Sequence, residues 1–370
     1  MADIRIKKYA QTLINYSLKV EKGNLVVIQG YPVAYPLVEA CYEEIIKAGG
    51  HPYVILKHDL NEILLKEGSE EQLTYVSSIS EEIVKRADKL LNIGGGNNTK
   101  YMSNIDPKKI STFNKARANV SKLQSERSAK GELNWTLCMY PTQSSAQEAG
   151  MSLREYEEFI YSACFLNDED PVASWIKIRE SQQHIVDYLN SKKHLRIVSK
   201  ETDIEMEIES RIWMNSDGRN NFPSGEVYSG PIEDSVNGQI RFSFPGIYSG
   251  QEIEDIRLTF KDGIVVEATA SKGQKLLEAL IDIDPGARRV GEVAIGTNYN
   301  INRFTKNMLF DEKIGGTIHL ALGKSYPLSG GRNTSAIHWD MLCDMRDGGE
   351  IYADGELFYK DGKVLDKVVR

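Results

Sequence analysis

The sequence predicts an α/β N-terminal domain with a mainly parallel sheet, followed by a β-rich α+β C-terminal domain in the form of a barrel or strongly bent antiparallel sheet. Two observations carry that expectation. Through the first half, segments with helical spacing of apolar residues alternate with short apolar runs bounded by glycine, as in strand, helix, strand units whose parallel strands are covered by helices. Through the second half the apolar period falls to two and Asp-Gly pairs separate β-rich runs, as in antiparallel hairpins. A chain of 370 residues has room for two domains at roughly 150 residues each. The change of period sets the expected division near residue 190, giving domains 1–190 and 191–370.

The elements follow in order. Lys7 to Lys22 spaces Tyr9, Leu13, Tyr16 and Leu18 as a helix does, and GNLVVIQG (Gly23 to Gly30) reads as a buried strand. Pro36 to Ala48 resumes the helical period and stops at Gly49-Gly50, a C-cap signal, before the apolar run Pro52 to Leu56. Glu81 to Lys89 followed by Leu90 to Gly96 repeats the unit, and Lys108 to Lys130, Ser152 to Cys164 and Pro171 to Asn190 read as helices. Beyond them, His194 to Ser199 and Asp203 to Glu209 alternate, and Arg257 to Ala270 holds an Asp-Gly hairpin signal repeated at Asp354-Gly355 and Asp361-Gly362. One helix, Gln274 to Ile281, interrupts the strands.

Composition removes several functional classes. A hydrophobic fraction of 41% with 26% charged residues belongs to a folded chain, not to a disordered one. Fifty-three acidic against 45 basic residues, a net charge of −8, argue against a phosphate-neutralising surface, so nucleic acid is not an expected partner. No apolar stretch reaches the roughly 18 residues of a membrane span, and the N-terminal segment has scattered charges without an apolar leader. A cytoplasmic protein without a membrane partner is expected. Cys41, Cys138, Cys164 and Cys343 form no CxxC and read as buried free thiols. The glycine-rich IGGGNN (Ile93 to Asn98) lacks both the GxGxxG spacing and a Walker lysine, and reads as a structural turn. No GxSxG elbow is present to support acyl-enzyme chemistry.

The chemically distinctive residues lie in the last 150 positions. Glu226 in SGEVYSGP, Glu292 in RVGEVAIG, Glu312 in LFDEKIGG, His319 in TIHLALG, and His338 with Asp340 in AIHWDML each sit in or beside an apolar run. Burying several carboxylates is costly unless a positive group neutralises them, and with no lysine or arginine expected to accompany them a metal is the natural counter-charge. His338 and Asp340 are two apart, so on a strand both point to one face and can serve one ion. Carboxylate with imidazole suits zinc, cobalt or manganese. Three glutamates, two histidines and an aspartate together fit two metals that share a carboxylate. His51, His58, His184 and His194 have no acidic partner at ligand spacing and are expected to be structural or surface residues.

The segments Asn221 to Pro231, Gly286 to Gly296, Asn307 to Pro327 and Asn333 to Leu342 resemble, in order, the successive motifs of the thermophilic aminopeptidase T family, the aminopeptidase T and S type of cocatalytic metallopeptidase. The resemblance is close through the C-terminal half, whereas the N-terminal half agrees in α/β alternation and length. It implies a homodimeric exopeptidase that uses two divalent cations to remove the N-terminal residue of peptides with a free N-terminus. The site it implies lies in the C-terminal domain. By the same resemblance Glu226 is a ligand of one metal, Glu292 bridges both, and Glu312 is a further acidic position. His319, His338 and Asp340 are the remaining ligands, and Tyr326 in GKSYP reaches the site to assist catalysis. Such a pair of cations holds a hydroxide between them and polarises the scissile carbonyl while the substrate amine binds one metal. Glu312, or after it Glu292, is the expected proton acceptor, and Tyr326 the donor to the oxyanion. The rival expectations are a two-metal amidohydrolase or dipeptidase for another small amide, and a catalytically silent relative.

Overall fold

A computed structural model of the chain describes residues 3–248 and 250–369. Its contacts divide it into two compact units, Met1–Val172 with Gly218–Pro223, and Ala173–Asp217 with Ser224–Arg370.

The first unit is built on four strands, β1 (Leu25–Gly30), β2 (His51–Leu56), β3 (Lys89–Gly94) and β4 (Asn134–Met139), with a two-residue strand, Asn221–Phe222, at the edge. The order is β2, β1, β3, β4, Asn221–Phe222, and every neighbouring pair is parallel. Val26, Val27 and Ile28 of β1 are all buried, the continuous apolar run of a strand covered on both faces. The helix Tyr35–Lys47 packs on β1 and β2. The glycine-rich segment after β3 is irregular chain closely packed on its neighbour: Gly95 has φ +129°, and a Cβ there would lie 2.8 Å from the Tyr140 carbonyl oxygen. The strand β4 carries no clean period, and the edge strand arrives from much later in the chain, so neither was legible from local pattern.

The division falls at Val172/Ala173, not near residue 190, because of what the helix Pro171–Asn190 touches. Its Ile185, Val186 and Leu189 are buried in the same apolar cluster as Leu195 and Ile197 of the following strand. Helical period alone does not reveal which core an amphipathic helix serves.

The second unit is antiparallel throughout its two large sheets. One has eight strands, in the order Ile264–Thr269, Arg257–Lys261, Asn237–Arg241, Thr202–Glu207, His194–Ser199, Glu350–Ala353, Glu356–Lys360 and Lys363–Val364. All three Asp-Gly pairs turn hairpins in it, with both residues of each pair at positive φ, as a type I′ turn requires. The other sheet has five strands, β5 (Met214–Ser216), β6 (Glu226–Ser229), β7 (Val290–Gly296), β8 (Thr317–Gly323) and β9 (His338–Asp344), ordered β9, β8, β7, β6, β5. Both sheets contribute to one apolar core, Ile204, Met206 and Leu258 from the first and Val293, Leu320 and Met341 from the second. The four cysteines are free and buried. Among the described residues no helix is long and apolar enough to cross a membrane.

Candidate metal centre

The five-stranded sheet sorts its side chains by strand alternation. Val227, Val293, Ile295, Ile318, Leu320, Leu322, Trp339 and Met341 enter the shared core. The residues between them, Glu226, Tyr228, Glu292, His319, His338 and Asp340, therefore take the opposite face. Pairing brings them into rows. Glu292 of β7, Ala321 of β8 and Asp340 of β9 are in register, as are Tyr228, Ala294 and His319. Alanine at the centre of each row leaves space over which the longer polar side chains meet.

One irregularity is essential to that sorting. Val290 and Val293 both belong to the core, so strict alternation from Val290 would send Glu292 inward with it. The register of β7 against β8 shifts between Val290 and Glu292, leaving Gly291 unpaired as the extra residue of a bulge, and the shift turns Glu292 to the opposite face. Glycine is required there, because a Cβ at Gly291 would lie 2.3 Å from the Gly323 carbonyl oxygen and 2.6 Å from that of Lys324.

Glu312 comes from a separate element, the short helix Met308–Asp311, whose first turn is capped by the Asn307 side chain accepting from the Leu309 N–H at 3.1 Å. Fully buried Asp311 anchors the turn by accepting from the Thr305 N–H and hydroxyl at 2.7 and 2.8 Å. Burial, partly offset by these donors, raises the Asp311 pKa to about 7.

The polar groups converge. His319 Nε2 is 3.2 Å from Glu292 Oε1, 3.7 Å from Glu226 Oε2 and 3.9 Å from Asp340 Oδ1. His338 Nε2 is 3.5 Å from Glu292 Oε2 and 3.6 Å from Asp340 Oδ1. Glu292 thus lies between the two imidazoles. Donor atoms of Glu226, Glu292 and His319 all fall within 4.8 Å of one another, and so do those of Glu312, His319 and Asp340. Every acidic and imidazole position read from the sequence is in this cluster. His51, His58 and His184 are exposed elsewhere, and His194 lies beside Glu205 at 3.6 Å.

Backbone carbonyls orient both imidazoles: Nδ1 of His319 donates to the Glu312 carbonyl at 3.0 Å and Nδ1 of His338 to that of Lys324 at 2.7 Å. A carbonyl only accepts, so the proton is on Nδ1 and each Nε2 presents either a lone pair or a second proton to the carboxylates. That is how metal-binding histidines are held. Burial opposes a charge on His319, yet Glu292, Asp340 and Glu226 outweigh it and raise its pKa to about 10. Burial raises the Glu292 carboxyl, and it raises Glu312 to about 8 with Lys313 opposing and Glu226 and Asp340 adding to the effect. The directions of these shifts follow from carboxylates crowded around two imidazoles, an arrangement that calls for positive charge. Among the described residues, moreover, Glu226 Oε2, Glu292 Oε2 and Asp340 Oδ1 are buried without a hydrogen-bond donor. Unpartnered buried carboxylate oxygens facing imidazole nitrogens fit a site for divalent cations.

Two aromatic residues edge the cluster. The Tyr326 ring lies 5.1 Å from that of His338, and the Tyr228 ring 5.6 Å from that of Tyr326. Burial and then the Glu292 carboxylate hold both phenols above their ordinary pKa.

The model of the thermophilic metalloprotease (M29) family matches residues 2–364. The chain belongs to that family. Aminopeptidase 2 of Geobacillus stearothermophilus, 30% identical over 402 residues, matches 97% of this chain and 95% of its own length. Aminopeptidase T of Thermus thermophilus is 28% identical over 391 residues, covering 95% of both proteins. Among solved structures, wild-type AmpT from Thermus thermophilus superposes with a TM-score of 0.86 at 25% identity, over 98% of this chain and 99% of that one. The M29 likeness therefore extends through the N-terminal unit, where the sequence offered only its alternation.

One expectation about this M29 site is overturned. A lysine does accompany the carboxylates: Lys313 is fully buried, 3.4 Å from Glu226 Oε1 and paired with Glu312. Burial works against its charge, and Glu226 and Glu312 nevertheless hold its pKa above the ordinary value. Its position directly after Asp311 and Glu312, at the start of the apolar and glycine-rich IGGTI, was the available signal. Sequence order conceals it because Glu226 is 87 positions away (313 − 226).

Proposed function

We propose that Glu226, Glu292, His319, His338 and Asp340, with Glu312 beside them, hold two divalent cations, zinc, cobalt or manganese, with which the chain removes the N-terminal residue from peptides. The chain is a metal-dependent aminopeptidase, a hydrolase of the exopeptidase class, since it belongs to a metalloprotease family and its relatives over nearly their whole length are aminopeptidases. The observation that carries the two-cation reading is the meeting of three carboxylates and two imidazoles on one sheet face with Glu312 beside them, three of the carboxylate oxygens being buried without a donor. Lys313 is a single charge set among four carboxylates and leaves the demand for divalent charge standing.

When bound, such ions supply Lewis acidity and activate water. The protein's own groups do the rest. Glu292, lying between His319 and His338, is the carboxylate suited to serve both ions. Glu312, kept as a carboxylate by the Lys313 ammonium and the ions, accepts the proton released by the attacking water and passes it to the leaving amine. The Tyr326 hydroxyl donates a hydrogen bond to the oxygen that becomes negative on the scissile carbonyl. The free N-terminal amine of a peptide, unprotonated, would be held by one of the ions, which favours exopeptidase over endopeptidase action. A homodimer working in the cytoplasm completes the proposal.

The test is hydrolysis of an aminoacyl-p-nitroanilide with metal analysis of the same sample. About two divalent ions per chain, activity lost on chelation and recovered with added metal, and loss of activity in Glu292→Ala are expected. Activity that survives exhaustive chelation or Glu292→Ala refutes the proposal. Equal turnover of N-blocked and free peptides favours an amidohydrolase instead, and fewer than one ion per chain favours a silent relative.

A further inference from the structure

Lys313 is unlike the other groups of the centre. It is a basic side chain with no exposed surface, paired with two carboxylates where divalent cations are proposed to bind. Its backbone is fixed on both sides: its N–H donates to the Phe310 carbonyl at 3.0 Å, and its own carbonyl accepts from the Asn298 N–H at 3.1 Å. Its charged end is buried against Glu226 and Glu312, so its charge acts directly on the cluster.

The ammonium does not act evenly. It contacts Glu226, one member of the Glu226, Glu292 and His319 group, and pairs with Glu312, one member of the Glu312, His319 and Asp340 group. The remaining combination, Glu292 with His338 and Asp340, is assembled at 3.5 and 3.6 Å without it. A cation that uses Glu226 or Glu312 shares a carboxylate with the ammonium and is repelled by it, and a buried setting screens that repulsion less than water does. A cation on Glu292, His338 and Asp340 shares no carboxylate that the ammonium contacts and meets less of it, Asp340 alone of the three lying within the reach of its charge.

We propose that Lys313 is a positioning residue that makes the two halves of the centre unequal, weakening divalent binding on the Glu226 side while leaving the His338 and Asp340 side tight. The inference rests on the two-cation reading above and adds what sets the loading. The same ammonium holds Glu226 and Glu312 together in the metal-free protein, so the centre keeps its shape when only the tight ion is present.

The experiment is calorimetric titration of chelator-treated protein with Co²⁺ alone, paired with thermal unfolding at each metal level. In the unaltered protein two binding steps differing at least about tenfold in Kd are expected. In Lys313→Met the weaker step tightens by about tenfold or more, and the metal-free protein unfolds at a lower temperature and gains more from added Co²⁺ than the unaltered protein does. In Lys313→Arg, which keeps the charge, the ratio of the two Kd values stays within about threefold of the original. Equal affinities in the unaltered protein, unchanged affinities in Lys313→Met, or a ratio in Lys313→Arg shifted about tenfold overturn the proposal. Should Lys313→Met yield no folded protein, the unaltered and Lys313→Arg titrations still decide it. Failure of the two-cation reading itself looks different: the unaltered protein then takes up fewer than two ions.

Discussion

The bulge at Gly291 offers the sharpest test of how backbone geometry builds the centre. The perturbation is a single methyl group, Gly291→Ala. That methyl would meet two backbone carbonyl oxygens, at 2.3 Å on Gly323 and 2.6 Å on Lys324, neither of which can rotate away. Reaching ordinary contact requires the end of β8 to retreat by roughly 1 Å. The same stretch donates from the Gly323 N–H to Arg289 at 2.9 Å and from the Lys324 N–H to Ile337 at 2.7 Å. Overpacking in such a place costs about 1–3 kcal/mol, and weakening one or two of these hydrogen bonds adds about 1 kcal/mol. A total near 3 kcal/mol corresponds to a fall in Tm of roughly 6–12 °C for a unit of this size. The catalytic effect is separate. Glu292 follows the altered residue directly, and the Lys324 carbonyl that moves is the one orienting His338 at 2.7 Å. A displacement near 1 Å at two groups of the centre lowers kcat by about 100-fold. Thermal unfolding of the metal-loaded protein and turnover of an aminoacyl-p-nitroanilide measure the two effects. A variant with Tm within about 1 °C of the original and activity within a factor of two would refute the account of the bulge.

Further outcomes follow from other parts of the molecule. Tyr326→Phe removes the proposed oxyanion donor without its ring and lowers kcat by about 10- to 100-fold with KM little changed; a steady-state comparison showing only a KM effect counts against that role. Leu320→Ala truncates a fully buried residue on the core side of β8 and costs about 2–5 kcal/mol in denaturant unfolding, while kcat/KM of the folded fraction remains within a few-fold, because Leu320 points away from the cluster. Asp311 has its folded pKa raised to about 7, above the unfolded value near 3.9, so between those values the native state holds the extra proton and stability is lost as pH rises. The Tm of the metal-free protein relative to Asp311→Asn therefore falls between pH 4 and 7, and a difference in Tm independent of pH contradicts this.

Most of the centre was legible because strand chemistry is local. In TIHLALG and AIHWDML each polar residue is flanked by apolar neighbours destined for the opposite face, and His338 and Asp340 do share a face as the two-residue spacing required. The three Asp-Gly turns were legible for the same reason, since their conformation is set by the two residues themselves. The apolar runs around Glu226, Glu292 and Glu312 marked them as candidates in the same way, and the family resemblance added a role for each.

What the sequence determined by itself is thus the kind of structure in each half and the identity of the polar groups, because both depend on periods and turn chemistry that a few residues carry. Only the tertiary structure decided the rest. It assigned the helix Pro171–Asn190 to the second unit through the core that its Ile185 and Leu189 enter. It turned Glu292 toward the cluster through a bulge that exists only once β7 pairs with β8. It brought Lys313 beside Glu226, a neighbour 87 positions away in the chain (313 − 226), and so revealed a buried positive charge among the carboxylates. Each of these depends on pairing or packing between distant segments, where the energy lies in contacts that no local window of sequence contains.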